Sequence, residues 1–215
     1  MTALCSGYRM IDTAEAYGNT RKTVEASLEK LKTGYLNLVL LHWPFGNYYA
    51  AWRELEKLYR EGKIRAIGVS NFTPDRLIDL IEFNQVTPVV NQIETHLLCQ
   101  RRAEHEWLEK YHVRHMAYAP LGQGRKNEMF ENPVLTEIAK AHGKTSAQTA
   151  LRFLMQSGAA VIPKSVHEER IRKNFDVFDF ELMADEMEQL VKMDIAVPMI
   201  GNPENPAVVE TAMKW

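Results

Sequence analysis

Leu36-Asn37-Leu38-Val39-Leu40-Leu41-His42 and Ile64-Arg65-Ala66-Ile67-Gly68-Val69-Ser70 are two short apolar runs, and each ends in a polar residue. Such unbroken runs are typical of strands buried on both faces of a parallel sheet. Ala51–Glu61 lies between them with helical periodicity, and Gly62 is a stop signal. The apolar face of this helix consists of Trp52, Leu55, Leu58 and Tyr59. Residues 36–70 are therefore predicted to be a β-α-β unit.

The same unit recurs along the chain. Further strands are predicted at Tyr8–Ala14, Val89–Glu94, His115–Pro120 and Ala159–Ser165. Further helices are predicted from Thr73-Pro74 onward and over Ala103–Tyr111, Pro133–Ala141, Ser146–Gln156, Glu168–Phe175 and Ala184–Met193. Strand starts at 36, 64, 89 and 115 lie 28, 25 and 26 residues apart, about the length of a βα unit. Alternating βα units form a barrel or a doubly wound sheet. Because no G-x-G-x-x-G follows the first strand, we expect a single (β/α)8 TIM barrel domain over residues 1–215.

The composition is that of an ordinary globular protein. The 215 residues are 46% hydrophobic and 25% charged, and the formal net charge is −2. A nearly neutral chain without a Lys/Arg run is a poor match for nucleic acid or an anionic membrane. Cys5 and Cys99 are expected to be reduced thiols, and no segment has the pattern of a membrane span or a signal peptide. We therefore expect a cytoplasmic protein, with a monomer as the simplest assembly.

Polar residues stand at the ends of the predicted strands. In a parallel barrel the chemistry lies at the C-terminal strand ends. These ends carry Asp12, His42, Ser70-Asn71, Gln92, Tyr118 and Lys164-Ser165. Core packing does not explain so many hydrogen-bonding side chains at one edge. The histidines show no metal-ligand spacing at strand ends, so a metal-dependent hydrolase is disfavoured and no metal site is predicted.

Several of these strings, in one order, resemble the aldo-keto reductase family. GYRMIDTAEAYGN (7–19) resembles its first signature, and LHWP (41–44) its catalytic-histidine strand. GVSNF (68–72) and NQIE (91–94) resemble nicotinamide-binding strands, and AYAPLG (117–122) and IPKS (162–165) complete the set. The resemblance runs from about Gly7 to Leu182 and is closest to bacterial diketogluconate-reductase-like members. It implies an NADPH-dependent oxidoreductase that reduces aldehydes, ketones or sugar-derived ketones to alcohols.

The resemblance assigns catalysis to Asp12, Tyr17 and His42. Tyr17 would be the proton donor to the carbonyl oxygen. Because tyrosine has a pKa of about 10 in water, it needs a neighbouring cation to donate well at neutral pH. Asp12 would pair with a lysine that also touches the tyrosine, and His42 would orient the carbonyl. Trp43 would wall the substrate pocket, although an ordinary core tryptophan is an open alternative.

The resemblance also implies a nicotinamide site. Ser70, Asn71 and Gln92 complement the donors and acceptor of a carboxamide. Tyr118 would stack on the nicotinamide ring and so fix which face reacts. Leu121, in the loop that follows, is placed with the cofactor as well.

The residues after the last predicted strand suit a phosphate. Lys164 and Ser165 precede a helix start, and helix N-termini favour anions. Arg170 and Asn174 are spaced i, i+4 and share one face, next to an expected buried face with Ile171 and Phe175. An arginine in this position suits the 2′-phosphate of NADPH.

The stretch around Asn19 lacks the family's catalytic lysine. In the family a strand with that lysine follows the first signature, whereas here Thr20-Arg21-Lys22-Thr23-Val24 resembles the helix beyond it. Lys22, Lys30 and Lys32 fall in this helix and do not end a strand. We therefore expect six of eight strands, a missing N-terminus and a chain gap near 19–21, and we expect the chain as it stands to be inactive. An inactive nucleotide-binding sensor or a pseudoenzyme remains the alternative function.

Overall fold

The computed structural model describes residues 5–6, 20–123 and 126–212, in which one or more helices separate each strand from the next. The strands are β1 (Val39–Leu41), β2 (Ile67–Ser70), β3 (Val90–Glu94), β4 (Arg114–Tyr118) and β5 (Ala160–Val161). They form one sheet in the order β1-β2-β3-β4-β5, with parallel pairing of β1 to β2, β2 to β3 and β4 to β5. Among the described residues β1 and β5 are the sheet edges, so the barrel is not closed.

One helix precedes β1, and the others lie between or after the strands. They are α1 (Thr20–Leu31), α2 (Tyr48–Arg60), α3 (Pro74–Glu82), α4 (Arg102–Lys110), α5 (Lys126–Phe130), α6 (Pro133–Ala141), α7 (Ser146–Gln156), α8 (Glu168–Phe175), α9 (Ala184–Val191) and α10 (Pro206–Ala212). The local sequence explains where several of these helices begin. Asn132 caps α6 through its side chain, and Thr145 with Gln148 forms a capping box on α7.

The chain divides into two compact units. The His42 unit comprises Thr13–Ile93, Ala103–His115 and Gly201–Trp215. The Tyr118 unit comprises Met1–Asp12, Glu94–Arg102 and Met116–Ile200. Each unit has its own buried hydrophobic cluster, the first around Trp52 and the second around Phe153.

Most predicted elements are confirmed, and the differences have local causes. Helix α2 begins three residues early because the Asn47 side chain accepts a hydrogen bond from Ala50 N–H. Strand β5 is much shorter than predicted, since Pro163 has no N–H to donate to a neighbouring strand. The expected strand Tyr8–Ala14 lies outside the described residues.

One burial prediction on α2 is wrong. Trp52, Leu55 and Leu58 are fully buried, but Tyr59 is 41% exposed. Glu56 is buried instead, because its carboxylate accepts hydrogen bonds from the backbone N–H of Gln85 at 2.8 Å and Val86 at 2.7 Å. A buried carboxylate is tolerated when donors surround it in this way.

Candidate functional site

The C-terminal ends of β1, β2 and β3 bring predicted residues together within the His42 unit. Ser70 Oγ donates to the Gln92 carbonyl oxygen at 2.7 Å, and Asn71 N–H donates to the same oxygen at 2.9 Å. Ser70, Asn71 and Gln92 are all at least nine-tenths buried. Because β2 and β3 are parallel, their polar ends meet at one edge of the sheet.

Asn71 links β2 to His42. Its Nδ2 donates to the His42 carbonyl oxygen and to Ser70 Oγ, both at 3.1 Å. Asn71 has a φ of 60°, a left-handed conformation that asparagine tolerates better than most residues. The backbone of His42 is therefore held by the side chain of Asn71, and the left-handed backbone conformation at position 71 favours asparagine.

His42 and Trp43 form an aromatic wall. Their rings meet edge to face at 5.8 Å, and Trp43 stacks on Phe45 at 5.3 Å. Trp43 is buried, and its Nε1–H has no hydrogen-bond partner in the part of the chain that the structure describes. A buried donor without an acceptor is costly, so a polar atom of a ligand would be stabilised there.

Tyr118 ends β4 in the Tyr118 unit and is half-buried. Burial, followed by the negative charge of Glu94, raises the pKa of the Tyr118 hydroxyl, which is therefore neutral at physiological pH. Ala119 and Gly122, which flank Leu121 and Pro120, adopt positive φ values of 50° and 65°. Leu121 packs against the hydrophobic cluster of this unit.

Helix α8 begins with Glu168 and Glu169 in its first turn and carries Arg172 and Lys173 in its last turn. Arg172 pairs with Glu168 and Lys173 with Glu169, each at 2.8 Å and one turn apart. Within residues 20–123 and 126–212, no ion pair involves Arg170 or Lys164, and both are exposed. Ser165 Oγ accepts from His167 N–H at 3.1 Å, and this bond shapes the entry to the helix. These residues fit an anionic group such as a phosphate.

The prediction that Ile171 and Phe175 form the buried face of α8 is wrong in detail. Asn174 is its buried residue, whereas Ile171 and Phe175 are only partly buried. The Phe175 ring makes an edge contact with Phe178, which is itself 64% exposed. Asn174 therefore packs inward while Arg170, one turn earlier, faces solvent.

Sequence reasoning gave no role to Glu94 and His96. Glu94 ends β3 and is 1% exposed, and His96 is fully buried with its Nε2 at 3.2 Å from Glu94 Oε1. Burial alone would raise the pKa of Glu94, but hydrogen bonds from His96, Met199 and Ile200 outweigh it and lower that pKa. The sequence did contain one indication of this contact, which is a carboxylate at the end of a predicted buried strand.

Asp12, Tyr17 and the expected chain gap beside Asn19 lie outside the described residues. Lys22 and Lys30 lie in α1, as predicted, and Lys32 follows it with a φ of 52°. Across the described ranges, no three His, Cys, Asp or Glu side chains gather as a metal site. No helix within these ranges is both long enough and apolar enough to span a membrane.

Comparison with known proteins places this parallel α/β chain among oxidoreductases. Residues 18–195 match the model of the aldo/keto reductase family. The chain is 42% identical to glyoxal reductase of Bacillus subtilis over 191 residues, covering 88% of this chain and 68% of that protein. A mutant of Gox0644 in complex with NADPH superposes with a TM-score of 0.83 at 37% identity, covering 91% of this chain and 73% of that one. The chain belongs to the aldo-keto reductase family, and the expected TIM-barrel fold class is confirmed.

A third relative bears on the missing segment. The chain is 37% identical to an aldo-keto reductase of Mycobacterium sp. (strain JLS), covering 94% of this chain and 85% of that protein. Their alignment spans 238 positions, which exceeds the 215 residues of this chain. The relative therefore has residues inside the aligned span that have no counterpart here.

Proposed function

We propose that this protein, with a complete barrel, is an NADPH-dependent reductase of small carbonyl compounds. The hydrogen-bonded group of Ser70, Asn71 and Gln92, which Asn71 Nδ2 links to the backbone of His42, carries the proposal. It gathers hydroxyl and amide residues, which complement a carboxamide, at the strand ends beside the His42 backbone. The family and the relative named glyoxal reductase support this chemistry.

Each residue has a defined part in this proposal. Bound NADPH supplies a hydride to the carbonyl carbon. Tyr17 donates a proton to the carbonyl oxygen, and Asp12 and the family's lysine support that donation electrostatically. His42 orients the carbonyl. The Nε1–H of Trp43, which has no partner among the described residues, offers a second donor to a polar substrate atom.

The proposed cofactor contacts are those that the family resemblance implies. Ser70, Asn71 and Gln92 hold the carboxamide, and the neutral Tyr118 covers the nicotinamide ring with Leu121 beside it. Lys164 and Arg170, which lack ion-pair partners in the described ranges, meet the 2′-phosphate together with Ser165 and Asn174. The proposed setting is the cytoplasm, with a monomer as the working unit.

The test is NADPH oxidation, followed by absorbance, on a panel that includes glyoxal, methylglyoxal and a sugar-derived ketone. The 215-residue chain and a version with the family's lysine-bearing segment restored after Asn19 are measured side by side. We expect turnover only in the restored version. Absence of turnover in both, with NADPH binding retained, would favour the second candidate, an inactive nucleotide-binding barrel.

A further inference from the structure

The Asn91 side chain binds both backbone groups of Phe72. Its Nδ2 donates to the Phe72 carbonyl oxygen at 2.7 Å, and its Oδ1 accepts from the Phe72 N–H at 3.4 Å. A carboxamide has a donor and an acceptor side by side, so it can serve the N–H and the C=O of one residue at once. Both residues are buried, and both belong to the His42 unit. These two hydrogen bonds form an amide clamp on Phe72.

The amide clamp lies where the chain leaves the sheet after β2. The last paired residues of β2 and β3 are Ser70 and Gln92, and Asn71 N–H still donates to the Gln92 carbonyl oxygen. Asn71 then turns the chain with its left-handed φ of 60°. Such a φ is unfavourable for a residue with a side chain, so it needs contacts on both sides to hold it. The pairing of Ser70 supplies them on one side, and the clamp on Phe72 supplies them on the other.

Packing of the Phe72 ring does not replace the clamp. The ring meets Tyr48 edge to face at 5.6 Å, and this contact locates the side chain. The clamp instead sets the direction of the peptide groups that follow Asn71. The Asn71 backbone in turn aims Nδ2 at the His42 carbonyl oxygen and at Ser70 Oγ. The arrangement at the end of β2 therefore depends on a side chain of β3 that lies behind it.

We infer that Asn91 is a positioning residue for the nicotinamide carboxamide, because its amide clamp on Phe72 holds Asn71 in the left-handed conformation. The inference rests on the proposed reductase function, in which Asn71 binds that carboxamide. Asn91 acts through Asn71 and does not itself touch the cofactor. Its loss should weaken binding of the nicotinamide end of NADPH and spare the end that carries the 2′-phosphate.

Two variants break the clamp in different ways. Asn91→Asp keeps the size of the side chain, but an ionised carboxylate only accepts hydrogen bonds and cannot donate to the Phe72 carbonyl oxygen. Asn91→Ala removes both hydrogen bonds and buries no charge. A hydrogen bond contributes roughly twofold to tenfold in an equilibrium. We therefore expect amide hydrogen exchange at Phe72 to become about tenfold faster in Asn91→Ala.

Two ligands separate a positioning role from general destabilisation. Adenosine 2′,5′-bisphosphate shares the 2′-phosphate of NADPH but has no nicotinamide. We expect the Kd of NADPH, measured by fluorescence, to rise by about tenfold in both variants. The Kd of the bisphosphate, measured by calorimetry, should stay within about twofold of the wild type. A partly unfolded protein would instead lose affinity for both ligands.

Asn84→Asp is the matched control. Asn84 Nδ2 also donates to a backbone carbonyl in the His42 unit, that of Leu80 at 2.8 Å, at the C-terminal end of α3. The same substitution there removes a comparable hydrogen bond without breaking the clamp. We expect exchange at Phe72 and the affinities for both ligands to match those of the wild type.

The outcomes separate this inference from the proposed function. If the wild-type chain does not bind NADPH, the proposed function fails and the inference falls with it. If it binds NADPH, unchanged NADPH affinity in the Asn91 variants overturns the positioning role alone. Equal losses for the two ligands, or the same loss in Asn84→Asp, overturn it too.

The wild type decides the question if neither Asn91 variant folds. A ligand that is held through Asn71 should stabilise the clamped conformation next to it. NADPH should therefore slow exchange of the Phe72 amide further, and adenosine 2′,5′-bisphosphate should not. Equal slowing by both ligands, or by neither, would show that the clamp is not coupled to the nicotinamide site.

Discussion

Replacement of Asn71 by alanine should destabilise the protein by about 3 kcal/mol. The variant loses the donations from Nδ2 to the His42 carbonyl and to Ser70 Oγ, each worth about 1 kcal/mol when buried. Alanine must also adopt the left-handed φ of 60°, which costs roughly a further 1 kcal/mol. The sum is a large part of the stability of a typical domain.

Urea unfolding monitored by circular dichroism measures this loss. Asn71→Gly is the matched variant, because it loses the same two hydrogen bonds and adopts the left-handed conformation without strain. We expect it to keep about 0.5 kcal/mol more stability than Asn71→Ala, since the relieved strain is partly offset by the greater freedom of the unfolded glycine. An Asn71→Ala protein within about 0.5 kcal/mol of the wild type would refute the hydrogen-bond reasoning. An Asn71→Gly protein less stable than Asn71→Ala would refute the conformational part.

Three further predictions address the cofactor, the proton donor and acid stability. Arg170→Ala should weaken NADPH binding by about tenfold to hundredfold and leave NADH binding nearly unchanged. Arg172→Ala is the control, because it removes an arginine that is paired with a glutamate, and it should alter neither affinity. Equal losses of affinity for both cofactors would count against the phosphate contact. Tyr17→Phe should abolish carbonyl reduction in the lysine-restored enzyme but preserve NADPH binding measured by fluorescence, and substantial remaining turnover would exclude Tyr17 as the donor. Hydrogen bonds from Arg21 hold the pKa of Glu61 at about 2, below its ordinary value of 4.5, so the stability that this pair contributes is complete above pH 4.5 and is lost as the pH falls towards 2. The difference in urea midpoint between the wild type and Glu61→Gln should therefore shrink over that interval, and a constant difference would show that the pair does not titrate in this way.

The strands and helices were predictable because their signals are local. An unbroken run such as Ile64–Ser70 and a start such as Asn132-Pro133 specify structure over a few residues. The meeting of polar residues at one edge of the sheet was predictable too, because parallel strands place their C-terminal ends at the same edge. The family resemblance, now confirmed, supplied the roles of residues such as His42 and Arg170, which local patterns alone do not specify. Those roles stay predictions.

The features that sequence reasoning missed depend on partners far along the chain. Glu56 is buried because two backbone N–H groups from the turn after α3 meet it, and no pattern within α2 reveals those donors. Glu94 is buried because of Met199 and Ile200, more than a hundred positions away. Asn174 illustrates the same limit, since helical periodicity favoured its apolar neighbours for the buried face.

The hydrogen bond from Met199 to Glu94 also constrains the order in which the chain folds. It joins residues separated by 105 positions, so it forms only after residue 199 has left the ribosome. Until Met199 and Ile200 arrive, the ionised side chain of Glu94 is more stable in water than in the interior. We therefore expect the Glu94 carboxylate to reach its final buried position only when residues 199 and 200 dock, late in the folding of the Tyr118 unit.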